Sequence, residues 1–379
     1  MKQYLDYNAT TPVFDETVAI MSRYLSVDFG NAGSRTHETG AIAKKAISNA
    51  RSEIANYMNA SSSELIFTSG ATESNNIALF GLLEYAKQNN LNHIVTSSIE
   101  HKAILDPLKK IEELGFKVSY VNPDKNGRIS TEAICESISD KTFLVSCMHA
   151  NNETGVINPI DELANKIKDL NNEIYFHSDC SQSFAKTNLS FKNTNIDMIS
   201  FSGHKFHGPK GIGGLLIRKR DGESAPVTPI MYGGGQERGI RPGTLPVHLI
   251  AGLHKSFELC YSNNNEWMAK CQEIKGIALD AFKDLNYKIY GSVDKKTLPN
   301  TLSIAFEEID AEALILILKD VAEISTGSAC TSSSYTPSHV LMSMGLTESE
   351  ATKVVRISWS SDTNISVFDS ISRKIKQLT

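Results

Sequence analysis

Between about residues 60 and 220, apolar positions come in short runs separated by longer stretches in which they recur every three or four residues. The short runs are Glu64–Thr68, His93–Ser97, Lys117–Val121, Thr142–Cys147, Glu173–His177, Asp197–Phe201 and Gly213–Ile217. They are rich in Val, Ile, Phe and Tyr and are bounded by Gly, Asn, Asp or Ser, which predicts strands. The amphipathic stretches Asn75–Gln88, Lys102–Leu114 and Pro159–Leu170 predict helices. Strands alternating with helices imply βαβ units, so an α/β fold with a mostly parallel seven-stranded sheet covered on both faces is expected.

After about residue 247 the pattern changes. A long helical region, Leu249–Asn286, precedes strands at Tyr287–Tyr290, Thr301–Phe306 and Val354–Trp359 and a closing helix. This predicts a smaller α+β unit. The expected division is a large domain over residues 15–250 and a small one built from 1–14 and 251–379. Residues 221–244, rich in Gly and Pro, read as a long ordered loop.

Composition narrows the function classes. The 379 residues suffice for two domains, and 41% apolar with 21% charged residues is ordinary for a globular chain with a sizeable core. The net charge is −5 with no long basic run, which argues against direct nucleic-acid binding. No run of 18 apolar residues exists, so no transmembrane helix is expected, and Met1–Asp6 lacks the apolar run of a signal peptide. Six cysteines without a CxxC pair disfavour a disulfide framework or zinc knuckle and fit a reducing, cytoplasmic compartment. Five of them sit in apolar or helix-like stretches. Cys330 differs, because Gly327-Ser328-Ala329-Cys330-Thr331-Ser332-Ser333-Ser334 is small and polar, the composition of a loop.

Five short motifs follow strand candidates. Phe67–Asn75 runs from a strand through Gly70 into a helix, a place for an anion or for an ordinary capped helix. Ser202–Lys210 sets Lys205 at a strand's carboxyl end, where it serves either as a Schiff-base amine or as a surface-loop lysine. His204 and His207 lack an acidic third ligand in that motif, and no metal is expected. His177–Gln182 carries Asp179, a partner for a protonated ring nitrogen or a helix N-cap. Ile99–Lys102 carries His101, and Met148–Gly155 carries Asn151 and Asn152. Taken singly, each reads more readily as a turn, a cap or a surface loop. Together they place an anion cradle, an amine, an acid, a stacking imidazole and an amide at one edge of one sheet, the set that pyridoxal phosphate needs.

With these motifs in order, the chain resembles the cysteine desulfurases of the class V aminotransferase superfamily nearly end to end. The resemblance also covers Leu5–Pro12, Gly30–Ser34, Gly233–Thr244 and Gly327–Cys330. It implies a type I aminotransferase-like, PLP-dependent transferase fold and assigns roles. Lys205 would hold the cofactor's aldehyde, and Asp179 would pair with its ring nitrogen. His101 would stack on the ring and move protons. Asn152 and Gln182 would contact the ring's hydroxyl side. Ala71, Thr72, Ser202 and His204 would hold the phosphate. Thr244 would reach the phosphate of the neighbouring subunit in a homodimer. Arg356, with Asn31 nearby, would grip the substrate carboxylate through its guanidinium fork. Cys330 would be the nucleophile that takes sulfur from L-cysteine and passes it to an acceptor protein.

Two stretches depart from the family pattern. Arg356-Ile357-Ser358-Trp359-Ser360-Ser361-Asp362 lacks the usual second Arg, which bears on the substrate pocket. Thr331–His339 is closer to desulfurases that feed DNA phosphorothioate modification than to those of iron–sulfur assembly. The rival readings are a selenocysteine lyase or aminotransferase of the same fold, a cofactor-free Cys–His hydrolase, and a non-catalytic scaffold. Lys205 and Asp179 would be idle in the last two.

Overall fold

The computed structural model describes residues 2–191, 194–220, 222–292, 294, 296–306, 309–327 and 337–377. Seven strands form the central sheet: β1 (Leu65–Thr68), β2 (His93–Ser97), β3 (Lys117–Val121), β4 (Thr142–Ser146), β5 (Tyr175–Asp179), β6 (Met198–Ser202) and β7 (Gly213–Ile217). Their order is β1-β7-β6-β5-β4-β2-β3. The four contacts among β3, β2, β4, β5 and β6 are parallel, and β7 runs antiparallel to both β6 and β1. The expected fold class is therefore the observed one.

All but the edge strand β3 are almost wholly buried. Burial on both faces explains why these strands read as near-continuous apolar runs, with no polar alternation. Alternate residues still feed different cores. Leu65, Phe67, Ile199 and Phe201 pack on one side, and Ile66, Met198, Leu215 and Ile217 on the other. On the first side Phe184 and Phe201 stack with centroids 3.8 Å apart.

Two helices, Asp15–Ser26 and Glu38–Tyr57, fall outside the periodic stretches recognised in the sequence. The second is weakly amphipathic and buries small side chains, Ala43, Ala50 and Ala55, beside Ile47 and Ile54. Ala-rich contact faces carry little hydrophobic periodicity. The expected helix over 75–88 starts earlier and is split into Ala71–Phe80 and Leu83–Gln88 around Gly81, whose added Cβ would stand 2.4 Å from the Ile77 carbonyl oxygen.

A second sheet, β8 (Tyr287–Tyr290), β9 (Thr301–Phe306) and β10 (Val354–Ser358), is antiparallel throughout. One helix, Val247–Phe282, joins the two parts. Its first half gives Ile250, Leu253 and Phe257 to the large core. Its second half gives Ile274, Ala278 and Phe282 to a separate core with Leu5, Trp359 and Phe368. The residue-250 boundary expected from the sequence thus falls inside a continuous helix. The N-terminal segment ties the parts together: Gln3 and Tyr4 pair with Ala322 and Glu323 and Asp6 bridges to Ser358 in the smaller part, while the Thr11 amide donates to the His204 carbonyl at 3.0 Å in the larger. Among the described residues no helix is long and apolar enough to cross a membrane.

Candidate active site

β1, β2, β4, β5 and β6 all end at the same edge of the sheet, and a cavity of about 450 Å³ opens there. Open α/β sheets bind ligands at this edge, because strand carboxyl ends and helix amino ends converge on it. Asp179 is the last residue of β5, two positions further into the strand than the sequence pattern places it. Its Oδ2 accepts from Asn75 Nδ2 at 2.7 Å, and its Oδ1 accepts from the Ser181 amide at 2.9 Å and the Ser181 hydroxyl at 2.5 Å. The turn that follows is therefore built on the carboxylate itself, and no helix starts there.

Lys205 closes a short 3₁₀ turn directly after β6. Its Nζ donates to the carbonyls of Asn8 at 2.7 Å and Ala9 at 2.9 Å. Asn8 is a hub. Its carbonyl also accepts from Gln182 Nε2 at 2.9 Å, and its Nδ2 donates to the Asn152 carbonyl at 3.2 Å and to Thr301 Oγ1 at 3.0 Å.

The helix Ala71–Phe80 begins at Gly70, which has a φ of 150°, and no side chain caps its first turn. A Cβ on Gly70 would stand 3.3 Å from Ser202 Oγ. The free amide end, Thr72 and Ser202 therefore form a concave rim with a partial positive charge. His204 adds a ring whose Nδ1 lies 3.2 Å from Thr10 Oγ1. Burial, reinforced by Lys205 and Lys210, pushes its pKa down to about 4, so the ring is neutral at pH 7.

His101 caps the helix Lys102–Glu113, its Nδ1 accepting from the Ala103 amide at 3.1 Å. That bond needs a lone pair on Nδ1 and assigns the proton to Nε2. The ring is open to the cavity on one side while protein crowds the others. This desolvation lowers its pKa; Asp179 opposes the shift and Lys205 adds to it.

Arg356 lies in β10, 2% exposed, and reaches the same cavity. Its Nη2 pairs with Asp6 Oδ1 at 2.6 Å and its Nη1 donates to the Asn152 carbonyl at 2.9 Å. Its buried Nε has no hydrogen-bond partner among the described residues.

Lys205, Asp179, His101, Asn152, Gln182, Ala71, Thr72, Ser202, His204 and Arg356 thus line one cavity. Asn31 and Thr244 do not. They share a second cavity of about 300 Å³ with Lys44, Arg51 and Gln236, so the structure does not bring Asn31 beside Arg356 within one chain. Cys330 lies outside the described residues, as does most of the Thr331–His339 stretch. Ser361, which stands where the family's second Arg would, lines a different pair of cavities beside Trp267. That departure therefore bears on the far side of the N-terminal segment and not on the substrate pocket. His207 stacks on Phe14 with centroids 4.3 Å apart, and among the described residues no cluster of three or more His, Cys, Asp or Glu is placed to hold a metal. Asn8, Asn75 and Asp6 went unassigned in the sequence; the only signal for Asn8 and Asp6 was their place in the Leu5–Pro12 motif.

The donor set fits pyridoxal phosphate. The helix end without a side-chain cap could accept a phosphate, the Asp179 carboxylate in the same cavity could take a ring N–H, and buried Gln182 Oε1 has no partner among the described residues.

Comparison with known proteins agrees. The aminotransferase class-V family profile matches residues 3–366. The cysteine desulfurase IscS of Buchnera aphidicola subsp. Schizaphis graminum is 41% identical over 94% of this chain and 87% of its own. A solved NifS-like protein superposes with a TM-score of 0.92 at 34% identity, covering 100% of this chain and 99% of that one. The crystal structure of DndA from Streptomyces lividans superposes at 0.82 with 43% identity, covering 96% and 100%.

Proposed function

We propose a division of labour for a chain that belongs to the aminotransferase class-V family and is a pyridoxal-phosphate-dependent cysteine desulfurase. The observation that carries the residue roles is the convergence of Lys205, Asp179 and His101 on a cavity whose far rim is an uncapped helix. When bound, pyridoxal phosphate supplies an electron sink for the bonds at the amino acid's α-carbon.

The chain's own groups do the rest. The helix amides, Thr72, Ser202 and neutral His204 hold the phosphate. Asp179, fixed by Asn75 and Ser181, keeps a proton on the ring nitrogen. Lys205, whose Nζ now donates to the Asn8 and Ala9 carbonyls, would hold the cofactor's aldehyde, and its free amine, or His101, would take up the substrate's α-proton. His101, neutral and carrying its proton on Nε2, covers the ring face and moves protons. Arg356, which lines the cavity, binds the substrate carboxylate.

Cys330 takes the sulfur. Its thiolate attacks the substrate sulfur, an S–S bond forms, the Cβ–S bond breaks, and the electron pair stays on carbon. That carbon takes up a proton and leaves as L-alanine. The described cysteines are poor rivals for this role. Burial pushes Cys260 and Cys271 up to about 12 and raises Cys135, Cys147 and Cys180, so all five stay protonated.

The acceptor is a protein thiol, the compartment is the cytoplasm, and the working unit is a homodimer in which Thr244 and Asn31 complete the partner's site. No carboxylate is among the described residues that line the cavity holding these two, which supports that reading.

The test is Cys330→Ser. It should keep the cofactor's absorbance and its response to L-cysteine while alanine release falls about a thousandfold or more. Wild-type protein given L-cysteine should carry one added, reducible sulfur on the peptide containing Cys330. Finding that sulfur on Cys147 or Cys180 would make Cys330 the wrong nucleophile.

A further inference from the structure

Lys186 lies in the turn region that follows Asp179 and is 8% exposed. Its buried Nζ has no hydrogen-bond partner among the described residues. The residue before it, Ala185, has a φ of 60°, a left-handed conformation unfavourable for alanine, so the backbone is strained where the lysine enters the interior.

Lys186 lines a cavity of about 40 Å³ that shares no lining residue with the one of about 450 Å³. The walls of the small cavity come from two segments next to Lys205. Tyr7 and Thr11 bracket Asn8 and Ala9, whose carbonyls hold Lys205 Nζ, and Phe206 and His207 directly follow Lys205 in the chain. Asn264 adds an amide whose Oδ1 is also buried without a partner among the described residues. At His207, Trp267, Ser360 and Ser361 the cavity adjoins a surface cleft of about 260 Å³.

The charges favour an anion inside. No carboxylate is among the described residues that line the small cavity; Glu266 and Asp362 stand in the outer cleft, with Lys270. Cys260 and Cys271 also line the cavity, but burial pushes their thiols up to about 12, so they supply no counter-charge. Burial lowers the Lys186 pKa to about 8, and Lys205 pushes it the same way, so most molecules keep the ammonium at pH 7. A buried cation without a partner is costly, and an anion beside it offsets that cost. A single water needs about 10–15 Å³ of such space, so about 40 Å³ admits an ion somewhat larger than a water.

We propose that Lys186 anchors a binding site for a small monovalent anion of halide size, behind the segment that holds Lys205. The Lys186 ammonium donates to the ion, and the Asn264 amide, turned to present its N–H, donates beside it. The bound ion joins residues 7–11 to the turn bearing Lys186 and stabilises the folded protein by mass action. Lys186 lies outside the cavity assigned to cofactor and substrate, so the site is independent of the roles given to Lys205 and Cys330.

The experiment compares wild-type holoenzyme with Lys186→Met, which keeps an unbranched chain and removes the charge. Thermal midpoints are read in sodium bromide against sodium sulfate at matched ionic strength, sulfate being larger and divalent. The wild-type midpoint should rise by about 2 °C as bromide goes from about a tenth to ten times its half-saturating concentration. Lys186→Met should show no such rise. Arg356 also attracts anions, and the variant subtracts any effect at that side of the active cavity. The second measurement needs no variant and decides the matter if Lys186→Met does not fold: crystals of wild-type holoenzyme soaked in bromide should show an anomalous peak within hydrogen-bonding reach of Lys186 Nζ. An equal bromide response in Lys186→Met overturns the proposal, as does a midpoint indifferent to bromide in wild type. A soaked crystal with water alone beside Lys186 Nζ overturns it too.

Discussion

The cavities at Lys205 and at Thr244 look alike in charge and differ in chemistry. The one of about 450 Å³ holds Lys205, Asp179 and His101 around a helix end. The one of about 300 Å³ also has cations in Lys44 and Arg51, amides in Asn31 and Gln236, and the Thr244 hydroxyl. Yet Glu237, a carboxylate that reaches the lining residue Arg51, is already taken. It is paired with Arg51, and its Oε2 accepts from the Phe67 amide at 2.8 Å. The larger cavity can hold an anion and also exchange protons with what is bound. The smaller one can only hold an anion. Attraction for a phosphate is thus common to both, and catalysis needs groups whose protons can move.

The sharpest way to break this contrast is to remove a lysine from each cavity. Lys205→Ala should lower alanine release from L-cysteine by a factor on the order of a thousand or more. Lys44→Ala should stay within about tenfold of wild type, since its charge is one of several there. Comparable losses in the two variants would mean that both cavities carry chemistry.

Thr244 sharpens the contrast next. One hydrogen bond to a charged group is worth about 1.5–3 kcal/mol, so Thr244→Ala should weaken cofactor binding about 10- to 100-fold. Mixed with Lys205→Ala subunits at limiting cofactor, it should regain activity. In the mixed dimer, one site combines an intact Lys205 with an intact Thr244 from the other chain. Absence of recovery after verified subunit exchange would confine Thr244 to its own chain.

How much of this was legible in sequence varies with the physics behind each signal. The seven strands stand within about two residues of their expected positions because strands buried on both faces must be apolar throughout. The small shifts matter: moving β5 by two residues turns Asp179 from a helix cap into the strand's final residue. The helix Glu38–Tyr57 was missed because its buried face is largely alanine. Asn8 and Ala9 hold the Lys205 amine across nearly two hundred residues of chain through backbone carbonyls, which any residue type offers. Composition cannot report such contacts. Lys186 and Glu100 were equally hidden, since a charged residue in a turn reads as solvated until the packing around it is known.

Glu100 provides the smallest and most diagnostic test, on stability. It is fully buried next to His101. Its Oε1 accepts from Ser97 Oγ at 2.5 Å and from the Met148 amide at 2.8 Å, while Oε2 has no partner among the described residues. Burial without a cation raises its pKa to about 8, against the help of those two donors, and Asp179 adds to the rise. In the unfolded chain the group ionises at its ordinary value, near 4.3. Between that value and about 8, the folded protein therefore holds a proton that the unfolded chain has released. The contribution to stability is fully present below pH 4 and is lost as pH rises to about 8, with no further loss above it. Glu100→Gln keeps the accepting oxygen and cannot ionise. The two holoenzymes should be within about 1 kcal/mol of each other at pH 5. As pH rises, the variant should gain on wild type by at most about 1.4 kcal/mol per unit. Thermal midpoints at pH 5, 6.5 and 8 measure this. A gap that stays constant across the three would mean that Glu100 ionises like an exposed carboxylate, and that the wall behind His101 is charged at neutral pH.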